Sequence, residues 1–396
     1  MLKITIDATP VLPKPSGIGF YVVNLIRALE EIRLTQETQE EFALDIIYQI
    51  SLKGWLKGNF SCPEPLKEFK GLRLFPLPVK ASNLFIKFPQ LFLPYFEDYF
   101  GFSDIFHGTN YTVFPFKDSK RVLSIYDLTF VKYPQFTNST VKAYTERVKR
   151  CLQWTDLVLT ISQSSKQDIV ELLGVPQEKV FVTPLASRYL VEDGNRLAQG
   201  IPLKESLTDT SVDYDFSKPY ILFVSTIEPR KNIATLIEAF DYLKEKYHLE
   251  HQLVLIGQKG WLYQSIFERI ARSRYQSDIH HLSYLSDERV ALFYSKADVF
   301  VYPSYYEGFG LPALEAMTLG APVVTTNTSS LPEVVGDAAL LVEPDAMTDL
   351  ADAILQVVSS SSLRDHLIAK GKERAKLFSW NHTAKETLKA YRLLMS

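Results

Sequence analysis

The sequence predicts an α/β protein made of two doubly wound parallel-sheet domains facing a central cleft. Three observations lead there. Short β-branched and aromatic runs alternate with amphipathic helical stretches along the chain, the pattern of parallel α/β layers. The alternation lapses into polar, Gly- and Asp-containing sequence over 188–218, which reads as a linker or a surface insertion, and restarts at Tyr220-Ile221-Leu222-Phe223-Val224. Gly-bearing turns follow several strands, where open parallel sheets present their ligand-binding loops.

Taken in order, strands are expected near 2–7, 43–50, 72–78, 104–107, 121–125, 156–161 and 179–183. Helical spacing falls between them at Gly19 to Glu31, Phe85 to Phe100, Asn138 to Gln153 and Gln163 to Leu173. The second half offers strands at Tyr220 to Val224, Leu253 to Ile256, Ile279 to Tyr284, Val299 to Tyr302, Pro322 to Thr326 and Ala339 to Val342. A helix is expected from Ile233 to Tyr247, and another after the turn Phe378-Ser379-Trp380-Asn381. The expected division is an N-terminal domain over 1–205, a C-terminal domain over 206–378 and a closing helix over 379–396.

Composition bounds the function. The 396 residues suit two or three domains at about 150 residues each. Forty-six acidic residues against 43 Lys plus Arg leave a net charge of −3, which excludes a generic binder of nucleic acid; any anion must be held at a local site. A 46% hydrophobic content excludes global disorder. Two cysteines, Cys62 and Cys151, cannot build a zinc cluster and suit a reducing cytoplasm. The chain starts directly on a strand pattern, with no signal peptide. The apolar stretch Leu84 to Phe102 is broken by Lys87, Pro89 and Pro94, too often to span a bilayer. Within it Phe85 to Phe100 reads as a core helix; with its aromatic face exposed, the segment from Ala81 to Phe102 would be an acceptor or membrane-proximal surface. The expected location is cytoplasmic, with peripheral contact at the inner face of a membrane.

Four turns carry chemistry. Tyr305-Tyr306-Glu307-Gly308-Phe309-Gly310-Leu311-Pro312 follows a buried strand and feeds a helix, so Glu307 sits in a loop beside a helix N-terminus that can hold phosphate. Glu315 falls on the first helical turn, in reach of sugar hydroxyls. Glu228-Pro229-Arg230-Lys231-Asn232 places two cations at a second strand-to-helix turn, suited to a diphosphate. Ser16-Gly17-Ile18-Gly19 resembles a phosphate-binding turn, but Val22 stands where a third glycine would complete the dinucleotide fingerprint. His107, ending a short apolar strand, could donate a hydrogen bond to substrate.

Other signals have plainer readings. Asp213-Tyr214-Asp215 lies in the presumed linker with no strand before it, so no metal site is expected there. Adjacent His280 and His281 would point to opposite faces of a strand. Ser330-Leu-Pro-Glu333 reads as a capping box.

Together, SGIGFY, FHGTNY, EPRKN, EGFGLPALEAMTLGAPVVTTNTSSLPEVVGDAALLVEP and the terminal FSW-plus-helix make the chain resemble the retaining glycosyltransferases of family 4, a group 1 family with the two-Rossmann-domain GT-B fold. The resemblance runs over almost the whole chain. It implies that Arg230 and Lys231 bind the diphosphate of a nucleotide-sugar, and that Glu307 faces the donor sugar while Glu315 holds the ribose. Gly17 and Gly19 would let the N-terminal loop close over the diphosphate. Gly308, Phe309, Gly310 and Leu311 would contact phosphate or sugar, and the loops after Gly257 and at Leu285 would meet the base. The final helix would cross back onto the N-terminal domain.

Similar family members often carry His-Asp-Leu where this chain has Tyr126-Asp127-Leu128, and tyrosine cannot take the protonated role of an imidazole. His107 or Asp127 would then be the N-terminal-side catalytic group beside Glu307. The implied activity is a retaining hexosyltransferase using GDP-mannose or a UDP-sugar, with a glycan or lipid-linked glycan as acceptor and no metal or other cofactor. An epimerase on the same fold and a non-catalytic sugar-nucleotide-binding protein are the other readings open at this stage.

Overall fold

The computed structural model describes residues 1–13, 17–35, 42–75, 77–88, 102–136, 139–203 and 214–396. Pro15 and Ser16 of the first glycine turn, Asp213, and most of the Phe85 to Phe100 stretch lie outside these residues.

The chain gathers into two units. The first holds Met1–Pro134, Ser139–Leu185 and Trp380–Ser396. Its sheet comprises β1 (Leu2–Asp7), β2 (Phe42–Gln49), β3 (Leu72–Phe75), β4 (Ile105–Gly108), β5 (Lys120–Ser124), β6 (Leu157–Thr160) and β7 (Val180–Val182). The strand order is β3-β2-β1-β4-β5-β6-β7, every pair parallel. The second unit, Gln135–Asn138 and Ala186–Ser379, holds β8 (Tyr220–Val224), β9 (Gln252–Ile256), β10 (Ile279–Leu282), β11 (Val299–Tyr302), β12 (Val323–Thr326) and β13 (Ala339–Val342). Its order, β10-β9-β8-β11-β12-β13, repeats the first six positions of the other sheet and is again wholly parallel.

This is the doubly wound order, in which the chain reverses direction across the sheet beside the first strand. The reversal lies between β1 and β4 in the first unit and between β8 and β11 in the second. The central strands read as unbroken apolar runs because both their faces are covered: Gln252–Ile256 and Val299–Tyr302 are buried throughout. The edge strand Leu72–Phe75 keeps two of its four residues exposed. Helix stops follow local rules as well. Ser162 Oγ accepts from Ser165 N at 3.0 Å to start Gln163–Leu173, and Gly174 ends that helix at φ 67°.

One expected feature differs. The polar stretch VEDGNRLA is not a linker but the helix Val191–Ala198, with Asp193 accepting from Leu190 N at 2.8 Å. A side chain at Gly194 would stand 2.9 Å from Leu319 Cα, so glycine is what lets this helix meet its neighbour's backbone. With Arg188 and Tyr189, this helix falls in the second unit, which takes in Ala186–Ser379 where the expected boundary is 205/206.

The terminal helix Trp380–Met395 groups with the first unit. Trp380 meets Phe20 edge-on at 5.7 Å, and Thr383 Oγ1 donates to Pro184 O at 2.5 Å. Cys62 and Cys151 are both free. Among the described residues no helix is long and apolar enough to cross a membrane.

Candidate active site

In the second unit, the turns leaving β8 and β11 stand side by side at the switch point, and they bring the two predicted motifs together. Residues Glu228 to Lys231 come from the first turn and Glu307 from the second. Lys231 Nζ donates to Glu307 Oε1 at 2.6 Å and to Tyr302 Oη at 2.7 Å. Arg230 Nη1 lies 3.2 Å from Glu307 Oε2 and donates to Tyr306 O at 2.5 Å, while Nη2 donates to Glu228 Oε1 at 2.8 Å. Lys231, Glu228 and Glu307 are all buried, with 5%, 3% and 7% exposure. Two cations and two carboxylates thus cancel in a site nearly closed to water.

The cancellation sets the titration of each group. Burial alone would push the Glu307 carboxyl up, but Lys231 and Arg230 together bring it down to about 2. The Lys231 ammonium is pulled below its usual value, by burial first and by Arg230 second, against the opposing pull of Glu307 and Glu228. Glu307 is therefore a carboxylate throughout the neutral range, which removes it as a proton donor.

Neighbouring side chains fix the backbone around this network. Ser329 Oγ accepts from Glu307 N at 2.9 Å. Ser330 does not cap the helix Leu331–Val335; its Oγ lies 2.8 Å from both Glu307 O and Phe309 O. The expected capping box is thus replaced by a buttress under the Glu307 loop, because buried carbonyls must find donors. Asn232 takes a left-handed conformation at φ 56° and donates through Nδ2 to Pro344 O at 2.7 Å, which turns the chain from the cations into helix Ile233–Tyr247.

Gly308 and Phe309 are buried, and Phe309 packs edge-on against Phe378 at 5.7 Å. Gly310 adopts φ 106°, a conformation side chains resist, immediately before helix Leu311–Leu319. Leu311 opens that helix, whose first-turn amides point out of its N-terminus. Gly257 follows β9 at φ 151°, where a Cβ would fall 1.9 Å from Ser225 O. Leu285 is buried ahead of helix Asp287–Lys296.

Glu315 faces a partner that sequence reasoning missed. Arg188 Nε donates to Glu315 Oε1 at 2.6 Å, and Nη1 donates to Asp287 Oδ1 at 2.7 Å. Burial pushes the Glu315 carboxyl up and Arg188 works against it. No motif flagged Arg188, which lies 127 positions from Glu315 in polar sequence.

The first unit places its expected groups differently. His107 is wholly buried and both ring nitrogens are engaged, Nδ1 with Tyr391 Oη and Nε2 with Ser124 Oγ, each at 2.7 Å. Burial lowers its pKa to about 3, so it is neutral. Both ring nitrogens are thus occupied inside the first unit, unlike the open hydrogen-bond donor expected of a catalytic His107. Tyr126 is also buried, its hydroxyl donating to Thr109 O. Asp127 Oδ1 accepts from Thr129 N at 2.9 Å and Asp127 N donates to Tyr111 Oη at 3.2 Å, so its carboxylate shapes a turn. Gly17 takes φ 49° and Gly19 is buried near Pro10 O in helix Ile18–Thr35.

The discounted signals have local roles. His281 Nε2 lies 2.9 Å from Gly257 O, whereas His280 meets the Tyr214 ring. Asp215 accepts from Ser217 N at 2.9 Å. Among the described residues no group of three or more His, Cys, Asp or Glu side chains comes together to hold a metal ion.

Comparison with known proteins bears on this geometry. The family model for group 1 glycosyl transferases matches residues 212–374. The O-antigen chain mannosyltransferase B of Escherichia coli is 32% identical over 399 residues, covering 99% of this chain and all of that protein. The serotype-specific mannosyltransferase WbdA of Escherichia coli is 30% identical over 61% of this chain, but over only 29% of its own length. Among solved structures, sucrose-phosphate synthase from Thermosynechococcus elongatus superposes with a TM-score of 0.72 at 21% identity, covering 100% of this chain and 99% of its own. The chain belongs to the group 1 glycosyl transferases, and its two parallel sheets are the two Rossmann-like domains of the GT-B fold.

Proposed function

We propose that this glycosyltransferase moves mannose from GDP-mannose to a glycan or lipid-linked glycan acceptor, with retention of anomeric configuration and without a metal or other cofactor. The sugar is favoured by two of the relatives, both mannosyltransferases of Escherichia coli. A UDP-sugar is the competing donor. The observation that carries the reading is the buried Arg230–Lys231–Glu307 network at the switch point of the second sheet, beside the start of helix Leu311–Leu319.

Breaking the bond between the anomeric carbon and the diphosphate leaves negative charge on phosphate and positive charge on the sugar. Arg230, Lys231 and the first-turn amides of Leu311–Leu319 would stabilise the departing phosphate, and they are held in place before reaction. An incoming diphosphate would compete with Glu307 for the two cations, freeing that carboxylate to face the electron-poor sugar. Because Glu307 stays ionised, the acceptor's proton has to leave by another route. In the retaining scheme the acceptor hydroxyl attacks on the leaving-group face and passes its proton to the departing phosphate oxygen. Glu315, held by Arg188, would take the ribose hydroxyls, with Gly257 and Leu285 near the base and Gly17 and Gly19 over the diphosphate. Contact with a membrane surface would bring the enzyme to a lipid-linked acceptor.

Purified protein given GDP-mannose, UDP-sugars and dTDP-sugars with candidate acceptors should yield an α-linked mannoside from GDP-mannose alone, read as the anomeric signal in NMR. Transfer from UDP-sugars only would move the donor assignment, and a β-linked product would end the retention scheme. A second nucleotide-sugar formed without acceptor would mean an epimerase. Activity should persist in EDTA. The variant Arg230→Ala should lose about a hundred- to a thousand-fold in transfer, the scale for removing one preorganised charge-stabilising donor.

A further inference from the structure

We propose that Arg188 is a positioning residue for donor binding, which fixes the Glu315 carboxylate so that the site selects a ribonucleoside diphosphate over its deoxy counterpart. The inference rests on the reading that Glu315 meets the ribose hydroxyls. It adds the group that prepares Glu315 for that contact and the selectivity that follows.

Glu315 lies near the start of helix Leu311–Leu319 and is 2% exposed. A carboxylate that deep holds its charge only beside a fixed cation. Among the described residues Arg188 is the cation paired with it, Nε donating to Oε1 at 2.6 Å. Burial pushes the carboxyl up and Asp287 adds to that; Arg188 is the largest influence against them, with the Tyr294 hydroxyl behind it. A guanidinium keeps its proton at every ordinary pH, so the pair favours the ionised acid.

Arg188 is itself held in place. Its Nη1 donates to Asp287 Oδ1 at 2.7 Å, so one planar fork spans acids from two helices, Leu311–Leu319 and Asp287–Lys296. The Asp287 side chain is 60% exposed and that of Glu315 3%, so the fork runs from the solvent rim down to the buried acid. The next residue anchors the stretch: Tyr189 is buried, its hydroxyl donates to Asp287 O at 2.9 Å, and its N donates to Ser187 Oγ at 3.0 Å. Arg188 engages Oε1 of Glu315, which leaves Oε2 to accept from a ligand. A buried, ionised acceptor separates a sugar that brings a hydroxyl from one that lacks it, because hydrogen bonds to charged groups exceed those between neutral ones.

Full-length protein is titrated calorimetrically with GDP and UDP and with the 2′-deoxy and 3′-deoxy forms of each. Wild type should prefer the ribonucleotide over at least one deoxy form by about ten- to a hundred-fold. R188M should bind the ribonucleotide about ten-fold more weakly and the deoxy form within about two-fold of wild type, so the preference shrinks. In transfer assays the same variant should raise the donor KM about ten-fold and leave kcat within about two-fold, as lost binding far from the reacting bond does. R188M/E315Q should bind as E315Q alone does, since nothing then remains to be positioned. Thermal melts check folding, and R188K, which keeps the charge but not the fork, should fall between R188M and wild type. Where E315Q loses the preference and R188M keeps it, the role of Arg188 falls and the ribose reading stands. Additive losses in the double variant, or an unfolded R188M with R188K indistinguishable from wild type, would also overturn the role of Arg188. A wild type that binds ribo and deoxy forms equally, or binds neither, would remove the ribose reading and this inference together.

Discussion

The two sheets share one strand order, yet the turns at their switch points hold opposite kinds of chemistry. In the first unit the end of β4 is closed by a neutral chain, Ser124–His107–Tyr391, with the terminal helix supplying the last member. Asp7, at the end of the neighbouring strand β1, has its carboxyl pushed up by burial and accepts from Thr9 N at 2.9 Å. In the second unit the same place holds Arg230, Lys231, Glu228 and Glu307, four charges that cancel. Both regions are almost dry, so a low dielectric acts on each. A neutral network needs only paired hydrogen bonds, whereas a charged one needs every charge matched. Only the second has partners that an incoming anion could take over. One topology thus carries a neutral hydrogen-bonded chain in one half and a balanced set of charges in the other.

The sharpest way to break that contrast is to unpair a charge. Lys231→Ala leaves Glu307 buried beside one cation in place of two. It should cost about 3–5 kcal/mol in urea unfolding and destroy most transfer activity. The double variant K231M/E307L removes both charges at similar volume and should recover much of that stability while staying inactive. If the single and double variants unfold alike, the network is not held by charge balance.

A pH series separates the two regions next. The His107 pKa is lowered by burial from 6.5 to about 3, so below pH 6.5 the unfolded chain takes up a proton that the folded one refuses. Its contribution is complete above pH 6.5 and is lost at about 1.4 kcal/mol per unit as pH falls toward 3. Glu307, lowered from 4.5 to about 2, contributes fully above pH 4.5 and loses that contribution only between 4.5 and 2. His107→Phe should therefore flatten the decline between pH 6.5 and 4.5, a change of about 3 kcal/mol over that window. Glu307→Gln should leave the same window unaltered. A wild-type melting curve that is flat from pH 6.5 to 4.5 would show that His107 titrates normally.

The smallest effect tests the neutral chain itself. Tyr391→Phe strips His107 Nδ1 of its partner and should cost about 1–2 kcal/mol in thermal unfolding. Transfer per folded molecule should not change. A fall in turnover with stability intact would return His107 to the chemistry.

Much of this contrast was legible before the structure. Tyr220–Val224 and Val299–Tyr302 read as strands to the residue, since strands covered on both faces leave continuous apolar runs, and the edge strand Ala339–Val342 read as well because its run is apolar too. Helices Gln163–Leu173 and Ile233–Tyr247 read equally well from their periodicity. Val191–Ala198 did not, because its polar face outweighs the few buried positions and its glycine looks like a breaker. Ser330 was misread for a similar reason. Three-residue spacing to Glu333 is what a capping box needs, and nothing local reveals that the hydroxyl turns toward Glu307 O and Phe309 O.

Sequence alone therefore determined the doubly wound architecture and the residue types at each turn, because periodicity, glycines and strand-to-helix order act over short stretches of chain. Only the folded structure decided which of those residues are free to do chemistry. His107 ended a strand as expected, but a tyrosine 284 positions later occupies its second nitrogen. Arg230 and Lys231 looked like open cations until Glu307, 76 residues beyond Lys231, closed on them. Burial and pairing depend on distant segments meeting, and that meeting sets the charge state of every group in the site.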